Sequence, residues 1–83
     1  MLYKRYIPVI TLISEHGEIT PVAIIWEDYN GSKTYKIDKI CNIHTAYSQV
    51  GGCGVLYECL ILGRKRKLFY ERNRWFIECT KPN

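Results

Sequence analysis

Four consecutive cations, Arg64-Lys65-Arg66-Lys67, followed shortly by Arg72 and Arg74, are the side chains of this sequence best suited to hold an anionic partner. Lysine and arginine neutralise phosphates, and each phosphate contacted steepens the salt dependence of binding. Aromatic residues interleave with the run at Tyr57, Phe69, Tyr70, Trp75 and Phe76. If these stretches are strands, one set of rings can fill a core while the other stacks on unpaired bases. Arg64, Lys65, Arg66, Lys67, Arg72 and Arg74 are therefore the candidate phosphate contacts, with Tyr57 and Phe69 as candidate stacking rings. The charge balance points the same way. Residues 1–41 are neutral overall, and the whole net charge of +4 sits in residues 42–83, where only Glu58, Glu71 and Glu78 oppose the cations. Alternation along a strand would send Arg64 and Arg66 to one face and Lys65 and Lys67 to the other.

Other chemistries find less support. His16 lies in an expected turn and His44 at an expected strand end, with no spacing that pairs them for acid–base work. Cys53 sits among Gly51, Gly52 and Gly54 with no adjacent basic residue to lower its pKa. An enzyme would have to use Cys53 or His44, and no catalytic residue is assigned. The four cysteines, Cys41, Cys53, Cys59 and Cys79, form no C-x-x-C pair. No zinc spacing results, and neither a metal nor a cofactor is expected. Cys59 shares a strand face with Tyr57 and Ile61, and Cys79 with Trp75 and Ile77, as reduced thiols do when they fill a core. The glycines at 51, 52 and 54 lack the Gly-Lys-Ser/Thr and the following helix that a phosphate loop requires.

The elements that would position these residues are strands. Apolar residues alternate with period two, and no window sustains helical spacing. Strands are expected at Tyr6 to Ser14, Pro21 to Glu27, from Lys33, at Val55 to Leu62, Lys67 to Glu71 and Arg74 to Cys79. Turns fall at Glu15-His16-Gly17-Glu18, at Asp28-Tyr29-Asn30-Gly31-Ser32 with its Asn-Gly signal, at Gly63-Arg64-Lys65-Arg66 and at Arg72-Asn73. Pro8 suits an edge strand or a bulge. The apolar phase shifts from Tyr35 and Ile37 to Ile40 and Ile43, so a bulge or bend is expected near Asp38-Lys39. Ala46 to Gly54 reads as a flexible connection.

An 83-residue chain makes one domain, here residues 1–83. The fold class is all-β: a small, bent antiparallel sheet closing to a barrel of five or six strands, SH3-like by preference. Val22, Ile24, Trp26, Tyr35, Ile37, Val55, Tyr57, Leu68, Tyr70, Trp75 and Ile77 are its core candidates. The apolar run Ile7 to Ile13 is far shorter than the ~20 residues of a membrane span and makes a poor leader. The expected compartment is the cytoplasm, with no membrane partner.

Trp26-Glu27-Asp28, Tyr35-Lys36-Ile37-Asp38, Gly51-Gly52-Cys53-Gly54, Leu68-Phe69-Tyr70-Glu71 and Arg74-Trp75-Phe76-Ile77-Glu78 together resemble a group of small bacterial β domains of unknown function. That group is distantly similar to small proteins associated with Y-family translesion DNA polymerases. The resemblance covers most of the chain from Ile24 onward. It implies an accessory role in DNA repair or a polymerase partner, and brings no catalytic residue. Taken together, the expected function is a non-catalytic module that contacts DNA or RNA through basic hairpins. The alternative is a protein-interaction or assembly module that pairs through a sheet edge.

Overall fold

The computed structural model describes residues 2–47 and 53–80. Among them the chain forms β1 (Leu2–Tyr6), β2 (Val9–Ile13), β3 (Ile19–Asp28), β4 (Gly31–Lys36), β5 (Lys39–Tyr47), β6 (Cys53–Ile61), β7 (Arg64–Glu71) and β8 (Arg74–Thr80). No helix among the described residues is long and apolar enough to cross a membrane. The strands assemble into two sheets, one ordered β1-β8-β7-β6-β5 and the other β2-β3-β4. Every pairing is antiparallel. The all-β class is as expected, and its eight strands form two antiparallel sheets.

The extra strands arise at two corners. The expected strand from Tyr6 to Ser14 is split at Ile7-Pro8, because proline has no N–H to continue a ladder. There the chain leaves one sheet for the other: the Ile7 N–H donates to the Trp75 carbonyl, and the Pro8 carbonyl accepts from Ile25 N–H. The second corner is Ile37-Asp38, close to the expected bend. The Ile37 N–H donates to Val22 in β3, and the Asp38 N–H donates to Leu60 in β6. The phase shift that suggested this bend comes from a bulge slightly further on. The register slips between Ile40 and Asn42, which puts Ile40 and Ile43 on one face; Ile40 packs on the core, while Ile43 stays exposed because β5 is a sheet edge.

The principal core lies between the sheets. Ile7, Ile37, Tyr57, Cys59, Ile61, Leu68 and Trp75 are buried, and Ile24, Trp26, Tyr35, Val55, Tyr70 and Ile77 pack against them half-buried. Val22 is a correction to the expected core, being exposed. Thr11 pairs with Pro21 and Ile10 with Ala23, so Val22 is the extra residue of a bulge. This reverses the alternation of β3 and buries Pro21 in its place.

The opposite face of the five-stranded sheet carries a second cluster that the sequence reading did not separate from the first. Tyr6, Phe76, Phe69 and Leu56 stand in one cross-strand row, of which the last three are buried. Phe69 and Phe76 stack with centroids 4.9 Å apart. The Lys4 ammonium lies 4.7 Å above the Phe76 ring and 3.3 Å from the Glu71 carboxylate, closing one side of the cluster.

The hairpin turns decide where the charge goes. Arg72-Asn73 turns as expected, with both residues at positive φ (50° and 64°). The turn expected at Gly63 to Arg66 instead occupies Leu62-Gly63, again with both residues at positive φ (53° and 74°). A two-residue turn of this hand matches the twist of the flanking strands, so Ile61 pairs directly with Arg64. The basic run is thereby drawn out of the loop and into β7. Ser14 closes the β2–β3 turn, its Oγ accepting from the N–H groups of His16 and Glu18. Between β3 and β4 the Asp28 carboxylate accepts from Asn30 N–H at 2.8 Å, and Gly31 alone supplies the positive φ (109°). The expected flexible connection shrinks, because β5 runs to Tyr47 and β6 starts at Cys53; residues 48–52 lie outside the described residues, Gly51 and Gly52 among them.

Candidate nucleic-acid cleft

Between the two sheets, at the end where β6 turns into β7, a cleft of about 820 Å³ opens. Trp26 and Tyr35 line it from the three-stranded sheet, and Arg64 and Arg66 from β7, with Ile24 and Ile77 among the apolar walls. The registers explain the grouping. Arg64 pairs with Ile61, and Arg66 with Cys59, both core-facing residues, so both arginines share the core side of β7 with Leu68 and Tyr70. Lys65 and Lys67 alternate to the face of Phe69 along the strand, yet they too line the edge of the cleft. All four are exposed.

Two further cations belong to this end of the molecule and were not singled out from the sequence. Arg5 sets its guanidinium 3.7 Å from the centroid of the Trp26 ring and donates to the Glu27 carbonyl, fixing the indole from one side. Lys33 stands directly across from Trp26 in the β3–β4 ladder, and Tyr35 across from Ile24. The signal was present as the i, i+2 spacing of Lys33 and Tyr35 opposite that of Ile24 and Trp26, but it becomes legible only once the hairpin is closed at Asp28 and Gly31. Glu78 also lines the cleft and moderates its charge.

The other expected contacts are placed elsewhere. Tyr57 is buried, with its hydroxyl donating to the Ile19 carbonyl at 3.3 Å, and burial raises its pKa. Phe69 is buried in the second cluster. Neither presents a ring face to solvent, which corrects their reading as stacking residues: alternation puts one ring in each core, and none is left over. Arg72 lies in the turn at the far end of β7 and Arg74 directly after it, about 20 Å from Arg66 at the usual strand rise. They do not join Arg64 to Lys67 in one patch. The Arg74 guanidinium lies 3.5 Å over the Tyr6 ring, beside a smaller cavity of about 590 Å³.

Each imidazole has a carboxylate nearby, His16 at 3.5 Å from Glu15 and His44 at 3.7 Å from Glu58. No group of three His, Cys, Asp or Glu could hold a metal ion among the described residues. The Cys53 side chain lies outside the described residues. Cys59 is wholly buried, and burial, with a smaller contribution from the neighbouring Cys41, pushes its thiol up to about 11 from 9.0.

This shift has a testable consequence. A group that holds its proton more tightly when folded stabilises the fold below its unfolded pKa and loses that stabilisation as pH rises through the folded value. Stability should therefore fall from about pH 9 towards pH 11, read as a falling urea midpoint, with a shallower fall in Cys59→Ala. At pH 8 a thiol-alkylating reagent should modify the exposed Cys41 and spare Cys59 until the chain is unfolded. Equal labelling of the two in the native protein would contradict the buried placement.

No family model matches the chain, and neither a curated protein nor a solved structure matches it.

Proposed function

We propose that the protein is a non-catalytic module that binds single-stranded nucleic acid in the cleft between its two sheets. Arg64 and Arg66, with Lys33 at the rim, would contact phosphates, and Trp26 and Tyr35 would receive the bases. The observation that carries this reading is the presence of two guanidinium groups and two half-buried aromatic rings on the walls of one cleft. Stacking is sequence-tolerant and backbone neutralisation is sequence-independent, so this arrangement suits an unpaired strand better than the edge of a duplex. An accessory role in DNA repair, implied by the resemblance to polymerase-associated proteins, would rest on the same cleft.

The scaffold we propose for it is a closed, SH3-like barrel. Counting β1 with β2 and β4 with β5 as bent strands leaves six, and the bonds made at Ile7-Pro8 and Ile37-Asp38 towards both sheets support that closure. The cleft would then be the open mouth of the barrel.

The test is anisotropy of labelled single-stranded DNA and RNA at two salt concentrations. With about three phosphates neutralised, affinity should fall about 20-fold between 50 and 200 mM salt. The double variant Arg64→Ser, Arg66→Ser should bind at least about tenfold more weakly, and Trp26→Leu should lose a similar amount through stacking. Arg72→Ser, at the other end of β7, should bind like the parent. Equal affinity of the parent and the Arg64/Arg66 variant would refute the assignment.

A further inference from the structure

Each sheet has two edge strands, β1 and β5 in one and β2 and β4 in the other. An edge strand exposes a row of unpaired N–H and C=O groups, and proteins blunt such edges with charged side chains, lysine above all. Three of the four follow that rule: β1 carries Lys4 and Arg5, β4 carries Lys33 and Lys36, and β5 carries Lys39. The sequence of β2, Val9-Ile10-Thr11-Leu12-Ile13, has no charge at all. Three of its five side chains are nonetheless exposed, Ile10 at 46%, Leu12 at 63% and Ile13 at 64%, while Val9 packs on the main core.

We propose that the free edge of β2 pairs with β2 of a second copy of this chain, antiparallel and centred on Thr11. The backbone sets that register. The Pro8 carbonyl and the Ser14 N–H are engaged towards β3 and its turn, so alternation directs the polar groups of Ile10 and Leu12 to β3 and those of Val9, Thr11 and Ile13 outward. No strand lies on that side among the described residues. A two-fold axis at Thr11 sets Thr11 against Thr11, and Val9 against Ile13 on either side, giving about six backbone hydrogen bonds between copies. Ile10 of one copy then stands opposite Leu12 of the other, so two of the three exposed aliphatic residues of the strand cover one another.

Charge favours a second copy as the occupant. In a two-fold antiparallel pair the two copies of one strand lie side by side, which would bring the cations of β1 or β4 close to those of the second copy and brings no charges together on β2. The same register carries the acidic β2–β3 turn of each copy, with Glu15 and Glu18, to the Ile7-Pro8 corner of the other. The Ile7 N–H is bonded there to Trp75, next to the basic Arg72-Asn73-Arg74 turn. The result is a continuous six-stranded sheet across the axis, with the nucleic-acid clefts left open at the far ends of both copies.

Sedimentation equilibrium should show twice the 9.8 kDa mass of one chain across the micromolar range, persisting at high salt. Leu12→Lys, which leaves an exposed position exposed in the single chain, should weaken association by about tenfold or more, because it sets an ammonium group against the apolar Ile10 of the other copy and brings two like charges to diagonal positions about the axis. Thr11→Pro removes an outward N–H that the single chain does not use, so it should abolish the dimer while circular dichroism and the urea midpoint stay close to the parent values. Thr11→Cys should cross-link two copies through position 11 on oxidation, since directly opposed residues of such a pair lie about 5.5 Å apart at Cα, within disulfide range. A monomer throughout the concentration range would overturn the proposal. So would a dimer untouched by Leu12→Lys and Thr11→Pro, or one that cross-links at Cys41 and not at position 11.

Discussion

Phe76→Ala should cost about 3–5 kcal/mol of folding stability, the range for emptying an aromatic site in a close-packed core. A chain of this length has only about 4–12 kcal/mol in total, so this one change removes a large share of the margin. The effect comes from a place that a two-layer reading of the fold would overlook. Phe76 is 1% exposed, yet it belongs to the second cluster, on the face of the five-stranded sheet away from the main core. Its ring stacks on Phe69, tilts against Tyr6 at 5.6 Å and lies under the Lys4 ammonium. Truncation would take one ring contact from each of the three and leave a cavity between them. With a urea m-value of about 1 kcal/mol/M, the midpoint should drop by about 3 M or more. Tyr29→Ala, at a fully exposed turn residue, should move it by less than about 0.5 M. A small shift for Phe76→Ala would mean that the second cluster is not packed as described.

The second large effect is expected at Gly54, and there the sign is informative. Alanine for glycine inside a strand ordinarily stabilises by about 0.4–1 kcal/mol, because the unfolded chain loses freedom. At Gly54 an added Cβ would sit 2.5 Å from the Tyr70 carbonyl oxygen and 3.3 Å from the Glu71 Cβ. The first of these is backbone, which cannot swing aside as the end of a long side chain can. Relief requires β6 and β7 to separate where Val55 meets Tyr70, and the cost of such overpacking is about 1–3 kcal/mol. Gly54→Ala should therefore destabilise, with faster amide exchange at Val55 and Tyr70 than at the distant β2–β3 hairpin. A stabilised variant would show that the close approach is absent.

Gly54 also shows where sequence reading stopped. Three glycines in four residues look like a linker, and nothing in composition separates a glycine chosen for flexibility from one chosen because a neighbouring strand comes too close. Period-two alternation located β3, β6, β7 and β8, and most of the expected core from Ile24 to Ile77, because one face of each of those strands is buried. It failed at Val22, where a single extra residue inverts the phase, and at β1, whose Tyr3, Lys4 and Arg5 give no apolar alternation to detect. The candidate site was legible in part. The cations of residues 64–67 and their division between two faces followed from local order alone. Their separation from Arg72 and Arg74 depended on where a two-residue turn fell, and the rings beside them came from a hairpin distant in sequence. Trp26 and Tyr35 had been read as core, and half of each is.

The pairing of β1 with β8, Leu2 against Thr80 through Tyr6 against Phe76, bears on how the molecule is made. Hairpins β6–β7 and β7–β8 join neighbours in the chain and close quickly, whereas β1 must find a partner 70 to 78 residues away. During synthesis β1 has no β8 to pair with until β8 has left the ribosome. Through that interval Lys4 and Arg5 keep an unpaired strand soluble, and the second cluster stays open along the row that Tyr6 will cover. A chain stalled before β8 would thus display Leu56 and Phe69 to water, a form that quality-control proteases and chaperones that capture exposed apolar strands are equipped to recognise.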